Sequence, residues 1–342
     1  MTEHRIINAN SNNMCMIPDG SVQLIVTSPP YPMIEMWDDM FIAQDESIKE
    51  VLLSDPHSAY LKMHNVLNAI WQECDRVLCD NGFICVNIGD ATRTINDDFQ
   101  LFPNHAQIID FFTNKGYCVL PDIHWRKQSN SPNKFMGSGM YPAGAYVTYE
   151  HEYILIFRKG GKRVFDGEKK NARRKSAYFW EERNVWFSDL WDIKGTGQLM
   201  QSNGNTRSRN ASFPFEIPYR LVNMYSVEGD TVLDPFCGLG TTMLACMASN
   251  RNSIGIEIDS EVANIALNNV KANLPILNER IQKRLVDHSL FVGTLSTDKK
   301  NKCYTNEHHQ FLVKTRQETE IRIQTISGVD IQEQNRTIIC QY

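Results

Sequence analysis

The chain has 342 residues, with 35 Lys and Arg against 40 Asp and Glu, a net charge of −5, and 42% hydrophobic and 22% charged residues. This is the composition of a soluble globular protein, long enough for one large α/β domain plus an insertion or a small second domain. It excludes a uniformly basic protein that coats nucleic acid, and no apolar run approaches the roughly 18 residues of a membrane span.

Met1-Thr2-Glu3-His4-Arg5 leads into a short strand rather than a signal sequence, so a cytoplasmic location is expected. Apolar runs predict strands at residues 6–9, 22–27, 83–88, 117–125, 152–157, 231–234 and 253–258. Helical periodicity predicts helices at 59–78, 105–114, 214–226 and 261–274. Strands alternating with helices imply a mostly parallel sheet covered on both faces. Residues 126–150, with Ser129-Asn130-Ser131-Pro132-Asn133 and Gly137-Ser138-Gly139, read as a long polar loop. The last 50 or so residues contain β-like runs at 320–326 and 337–340 that no motif covers.

Ser28-Pro29-Pro30-Tyr31 follows the second predicted strand, where a parallel sheet delivers loops to its ligand-binding edge. Two prolines remove two N–H donors, so the loop presents acceptors: the Pro29 carbonyl and the Ser28 hydroxyl. An exocyclic amino group on a nucleobase needs such acceptors, and the Tyr31 ring can stack on the base, worth roughly 1–3 kcal/mol. Taken alone the tetrapeptide reads first as an ordinary proline-rich turn after a strand, so the functional reading needs corroboration.

Residues 231–242 read as strand, glycine loop and helix start, with Asp234-Pro235-Phe236-Cys237-Gly238-Leu239-Gly240-Thr241-Thr242 at the turn. Gly238 and Gly240 allow close backbone approach to a ligand, and Thr241 or Thr242 can cap the helix. About 20 residues on, a second strand ends in Glu257-Ile258, where a carboxylate can accept both ribose hydroxyls of an adenosine-containing cofactor. The nine cysteines include no Cys-x-x-Cys pair and no Cys/His cluster at zinc spacing, so no metal is expected. Between 158 and 175, nine Lys or Arg stand against Asp166 and Glu168, followed by Tyr178-Phe179-Trp180, a pattern suited to phosphate contact.

Ser-Pro-Pro-Tyr ahead of Asp-Pro-Phe-x-Gly-x-Gly-Thr-Thr resembles the bacterial DNA amino-methyltransferases, in the permuted β-class order. Other family-like stretches fall in order over about residues 5–275: Ile17 to Val22, Cys74 to Leu78, Gly89-Asp90, His151 to Phe157, Asn184-Val185-Trp186 or Leu190 to Ile193, and Phe213-Pro214 with Pro218 to Leu221. Two departures stand out. Ala9-Asn10 replaces the usual Gly-Asp, and Arg209-Asn210-Ala211-Ser212 replaces His-Pro before Phe213.

The resemblance implies a circularly permuted seven-stranded methyltransferase fold using S-adenosylmethionine. It implies a catalytic half at 1–157, a target-recognition region at 158–208, a cofactor-binding half at 209–290 and an extension of unknown role at 291–342. Ser28, Pro29, Pro30 and Tyr31 would be catalytic. Asn10, Phe213, Asp234, Pro235, Phe236, Gly238, Gly240, Thr241, Thr242, Glu257 and Ile258 would hold the cofactor. Arg163, Lys169, Lys170, Arg173, Arg174 and Lys175 would contact double-stranded DNA, with the 126–150 loop closing over it. The target amine is buried in a duplex, so the base must flip out. Ser rather than Asp at position 28 favours N4 of cytosine over N6 of adenine in this family. Cytosine C5 chemistry is rejected, because Ser28-Pro29 stands where that family carries Pro-Cys. The expected partner is a restriction endonuclease of the same specificity, and the protein would be a monomer or homodimer. Alternatives are an N6-adenine enzyme, an inactive DNA-binding protein on the same fold, or an enzyme acting on RNA or a protein amide.

Overall fold

The computed structural model describes residues 1–127, 136–195 and 213–342. Ten strands form the main sheet: β1 (Thr2–Asn8), β2 (Val22–Thr27), β3 (Leu78–Ile88), β4 (Cys118–Arg126), β5 (His151–Arg158), β6 (Leu190–Asp192), β7 (Thr231–Asp234), β8 (Asn252–Glu257), β9 (Gly328–Gln332) and β10 (Thr337–Gln341). The helices that matter below are α1 (Pro56–Val77), α2 (Asn104–Asn114), α3 (Gly167–Lys175), α4 (Trp180–Trp186), α5 (Glu216–Tyr225), α6 (Thr241–Met247) and α7 (Ser260–Thr294).

The spatial order is β6-β4-β5-β3-β2-β7-β8-β1-β10-β9. Its middle seven strands are the seven expected from the apolar runs, parallel except for β5, which runs antiparallel to β3 and β4. β6 adds a parallel strand at one edge, and the C-terminal hairpin β9–β10 adds two antiparallel strands at the other. Both faces of the central strands are buried, so β2 reads as an almost unbroken apolar run. Leu24 and Val26 face a core with α5, α6 and α7, while Ile25 faces one with α1 and α2.

Local chemistry accounts for the helix positions. Asp55 caps α1 by accepting from the Ser58 N–H at 3.1 Å, Pro56 occupies the first turn, and Ala59, Met63, Leu67, Ile70, Trp71 and Cys74 form its buried stripe. Several expectations need correction. β3 starts at Leu78 rather than 83. The helix expected to stop at 274, before Pro275, continues to Thr294 because Leu277, Ile281 and His288 are buried and Arg284 pairs with Glu182. β1 starts at Thr2 rather than 6, since residues 2–5 pair with β10. The run at 320–326 forms no strand: the Asn278 side chain binds both the N–H and the carbonyl of Ile326 (2.8 and 2.9 Å), taking the place of a sheet partner.

Candidate active site

The carboxyl ends of β2, β3, β7, β8 and β1 share one edge of the sheet. That edge gathers Ser28 to Tyr31, Asp234 to Gly240, Glu257-Ile258 and Asn10, so the two halves expected from the motifs meet. Asp234 joins them. Its carboxylate is buried and accepts from Thr27 Oγ1 (2.7 Å), Thr242 Oγ1 (2.6 Å) and the Phe236 N–H (3.1 Å). One side chain thus fixes the end of β2, the glycine loop and the first turn of α6. Burial pushes its carboxyl pKa up, offset in part by these donors. Thr242 is therefore not a helix cap, and α6 has no side-chain cap; the left-handed Gly240 (φ 78°) precedes it.

The glycine loop is seated by close packing. A Cβ on Gly240 would lie 3.0 Å from Val270 Cγ2, and one on Gly255 would overlap Cys237 Sγ. Cys237 is buried, and burial drives its thiol pKa far up, so it packs rather than reacts. Ser11 Oγ donates to the Pro235 carbonyl at 2.6 Å, tying the β1 exit to the loop.

Glu257 stands at the end of β8, and among the described residues each of its oxygens is engaged once: Oε2 accepts from the Gly238 N–H and Oε1 from the Asp259 N–H, both at 3.0 Å. Burial raises its pKa, and the two N–H groups oppose the shift. Each carboxylate oxygen keeps acceptor capacity toward the open edge. Ile258 beside it is 48% exposed. Asn10 lies on the same edge, but its amide donates to Gln44 (2.8 Å) and accepts from the Asn12 N–H (3.1 Å). Asn8, which the motifs did not single out, donates to the carbonyls of Glu257 (2.8 Å) and Ile258 (3.0 Å). Phe213 is buried in the core on the α5–α7 face, and Thr241 opens α6.

Tyr31 sits in a polar network that the motifs did not reveal. Its hydroxyl donates to Glu152 Oε2 at 2.9 Å, lies 3.1 Å from Ser28 Oγ, and receives Asn87 Nδ2 at 2.9 Å. Lys127 pairs with the other Glu152 oxygen. Burial, with the Glu152 charge beside it, pushes the phenol pKa well up. Gly89 makes room for the ring, since a Cβ there would meet Tyr31 Cε2 at 2.9 Å. The available signal was an acid at the head of an otherwise apolar strand, His151 to Phe157. Nearby, the Asp90 carboxylate contacts His105 Nδ1 at 2.8 Å.

The basic stretch is not brought to this edge. Because β5 runs antiparallel, residues 158–175 emerge where the parallel strands begin, roughly 20 Å away along a six-residue strand. Arg163 is held in a two-pronged ion pair with Asp230 (2.6 and 2.7 Å), just before β7. Arg174 pairs with Glu320 at 3.0 Å, and Arg173 stacks over Phe165. Lys169 lines a hollow with Gly20, Gln23 and Asn81, while Lys170 and Lys175 complete α3. Of the expected DNA-closing loop, residues 128–135 lie outside the described residues; 136–137 pair with 145–146. Residues 196–212, including Arg209 to Ser212 and the end of the expected target-recognition region, also lie outside.

The DNA methylase family N6_N4_Mtase matches residues 22–268. The Type II methyltransferase M.MthZI of Methanothermobacter thermautotrophicus is 50% identical over 326 residues, covering 94% of this chain and 90% of its own. M.MjaI of Methanocaldococcus jannaschii is 48% identical, covering 83% and 94%. TTHA0409 of Thermus thermophilus, solved with S-adenosyl-L-methionine, superposes with a TM-score of 0.61 at 28% identity, covering 80% of this chain and 96% of its own. PvuII DNA methyltransferase (cytosine-N4-specific) shares the fold at a TM-score of 0.52 and 18% identity, covering 81% and 92%. The chain belongs to the N6/N4 DNA methylase family.

Proposed function

We propose that this DNA methylase transfers a methyl group from S-adenosylmethionine to the exocyclic N4 amine of cytosine in a short duplex sequence. The observation that carries the reading is the shared carboxylate of Asp234, which locks the residue before Ser28 to the glycine loop. S-adenosylmethionine supplies an electrophilic methyl on a sulfonium sulfur. The residues fit it: Glu257 has lone pairs for two ribose hydroxyls, Gly238 and Gly240 turn the loop through left-handed backbone (φ 50° and 78°) with no side chain in the way, and Ile258 offers apolar surface to an adenine ring. TTHA0409, solved with S-adenosyl-L-methionine, supports S-adenosylmethionine as the cofactor.

On the acceptor side, the base leaves the stack. Ser28 Oγ and the Pro29 carbonyl accept its amino hydrogens, and the Tyr31 ring lies against its face. Holding the amine in line with the methyl group supplies much of the rate. Serine at position 28 is the basis for N4 of cytosine, with N6 of adenine as the competing outcome. The duplex is proposed to approach the edge where β4 and β6 end, which carries Arg126 at the end of β4 and the exposed Lys194 two residues past β6. The Type II names of the relatives support a role in protecting host DNA from an endonuclease of matching specificity. Sequencing DNA for modified positions, from a methylation-free host expressing the chain, tests this. Modified cytosines clustered in one short motif are expected; their absence overturns the reading.

A further inference from the structure

The contacts behind Ser28 form a directed chain. Glu152 is 6% exposed and accepts through Oε2 from Tyr31 Oη (2.9 Å) and Asn87 Nδ2 (2.6 Å). Asn87 Nδ2 also donates to Tyr31 Oη at 2.9 Å. With the Tyr31 hydrogen committed to a carboxylate, the 3.1 Å contact between Ser28 and Tyr31 makes Ser28 the donor. The Ser28 hydrogen then points inward. One of its lone pairs faces Asn87 Nδ2 at 3.5 Å, and the other is left for an amino group arriving at the loop. Lys127 holds the second Glu152 oxygen, so the negative charge at the inner end has a fixed counter-ion.

We propose that this chain is the proton exit of the reaction: Ser28 takes the amine proton, the Ser28 proton passes to Tyr31, and the Tyr31 proton passes to Glu152. The inference rests on amino-methyl transfer as the function and goes beyond it by naming where the proton ends. As the amino lone pair forms the N–C bond, the C–S bond breaks and its electron pair stays on sulfur. Two hydroxyl-to-hydroxyl transfers leave Ser28 and Tyr31 as they began and Glu152 protonated. Tyr31 stays a protonated phenol at neutral pH, as burial and the Glu152 charge require, so it can pass one proton on while receiving another. Tyr31 touches the base through its ring; Glu152 acts only through Tyr31 and is a positioning residue.

The test uses Tyr31→Phe, which keeps the ring, Glu152→Gln, which keeps the shape, and the double variant. Single-turnover methyl transfer to unmethylated duplex DNA is measured in H₂O and D₂O, and S-adenosylmethionine affinity is measured by calorimetry. Each single variant should slow transfer on the order of 100-fold, the scale of positioned proton transfer. The double variant should be no slower than the worse single by more than about threefold, because both cut one path. The slowing of the wild type in D₂O should vanish in all three, with cofactor affinity unchanged. A Tyr31→Phe protein at wild-type rate, or losses that multiply, would overturn the exit path. A wild type that methylates no DNA would sink the proposed function itself.

Discussion

Replacing Glu257 is the most direct probe of the cofactor half. Its two oxygens each hold one backbone N–H at 3.0 Å, from Gly238 and Asp259. A carboxylate has about four lone-pair sites, so two remain, which matches two ribose hydroxyls. Hydrogen bonds to a charged acceptor contribute about 1.5–3 kcal/mol each, so Glu257→Ala removes about 3–6 kcal/mol of binding. That corresponds to a 10²- to 10⁴-fold weaker Kd, to order of magnitude. Glu257→Gln keeps one acceptor but turns an NH₂ toward one of the two N–H groups, so it should lose about 10- to 100-fold and loosen the loop. Calorimetric titration with S-adenosylmethionine, alongside circular dichroism to confirm folding, gives both numbers. A Glu257→Ala protein that folds and binds within about threefold of wild type would refute the ribose assignment and the magnitudes behind it.

Burial raises the Asp234 carboxyl, so the folded state binds this proton more tightly than the unfolded chain. The group therefore favours folding below the ordinary carboxylate pKa, about 3.9, and that contribution is lost as pH rises through the raised folded-state value. Asp234→Asn retains an acceptor for Thr27 and Phe236 and removes this opposition. In urea titrations, the stability of the variant relative to wild type should improve between about pH 4 and about pH 7; the reverse trend counts against the assignment. Substituting Lys169, Lys170 and Arg173 by Ala should leave the salt dependence of DNA binding unchanged, since α3 stands at the far edge from Ser28. Three lost phosphate contacts would instead flatten the log–log slope by about 2.7, which would return α3 to the DNA interface.

The sequence was informative where function depends on short segments. Each of the seven central strands is a local apolar run, and a parallel strand sends its C-terminal loop to the ligand edge, so Ser28 and Gly238 could be placed from chain order alone. The partners of those loops were not legible. Glu152 reaches Tyr31 across 121 positions, and Asp234 reaches Thr27 across 207, through strand pairing that no motif encodes. The basic segment shows the same limit from the other side. Its charge pattern suits phosphates, but the antiparallel direction of one strand, β5, sends it away from the Ser28 loop. The C-terminal hairpin likewise gains its meaning only by pairing with β1.

The central claim is that the Ser28 loop delivers an amino group of DNA to a methyl donor held by the glycine loop. Purified protein, labelled S-adenosylmethionine and unmethylated duplex DNA, followed by nucleoside digestion and mass spectrometry, test it in one step. Label in N4-methylcytosine is the predicted result. Label in N6-methyladenine alone would contradict the choice of base, and no label in DNA would contradict the account.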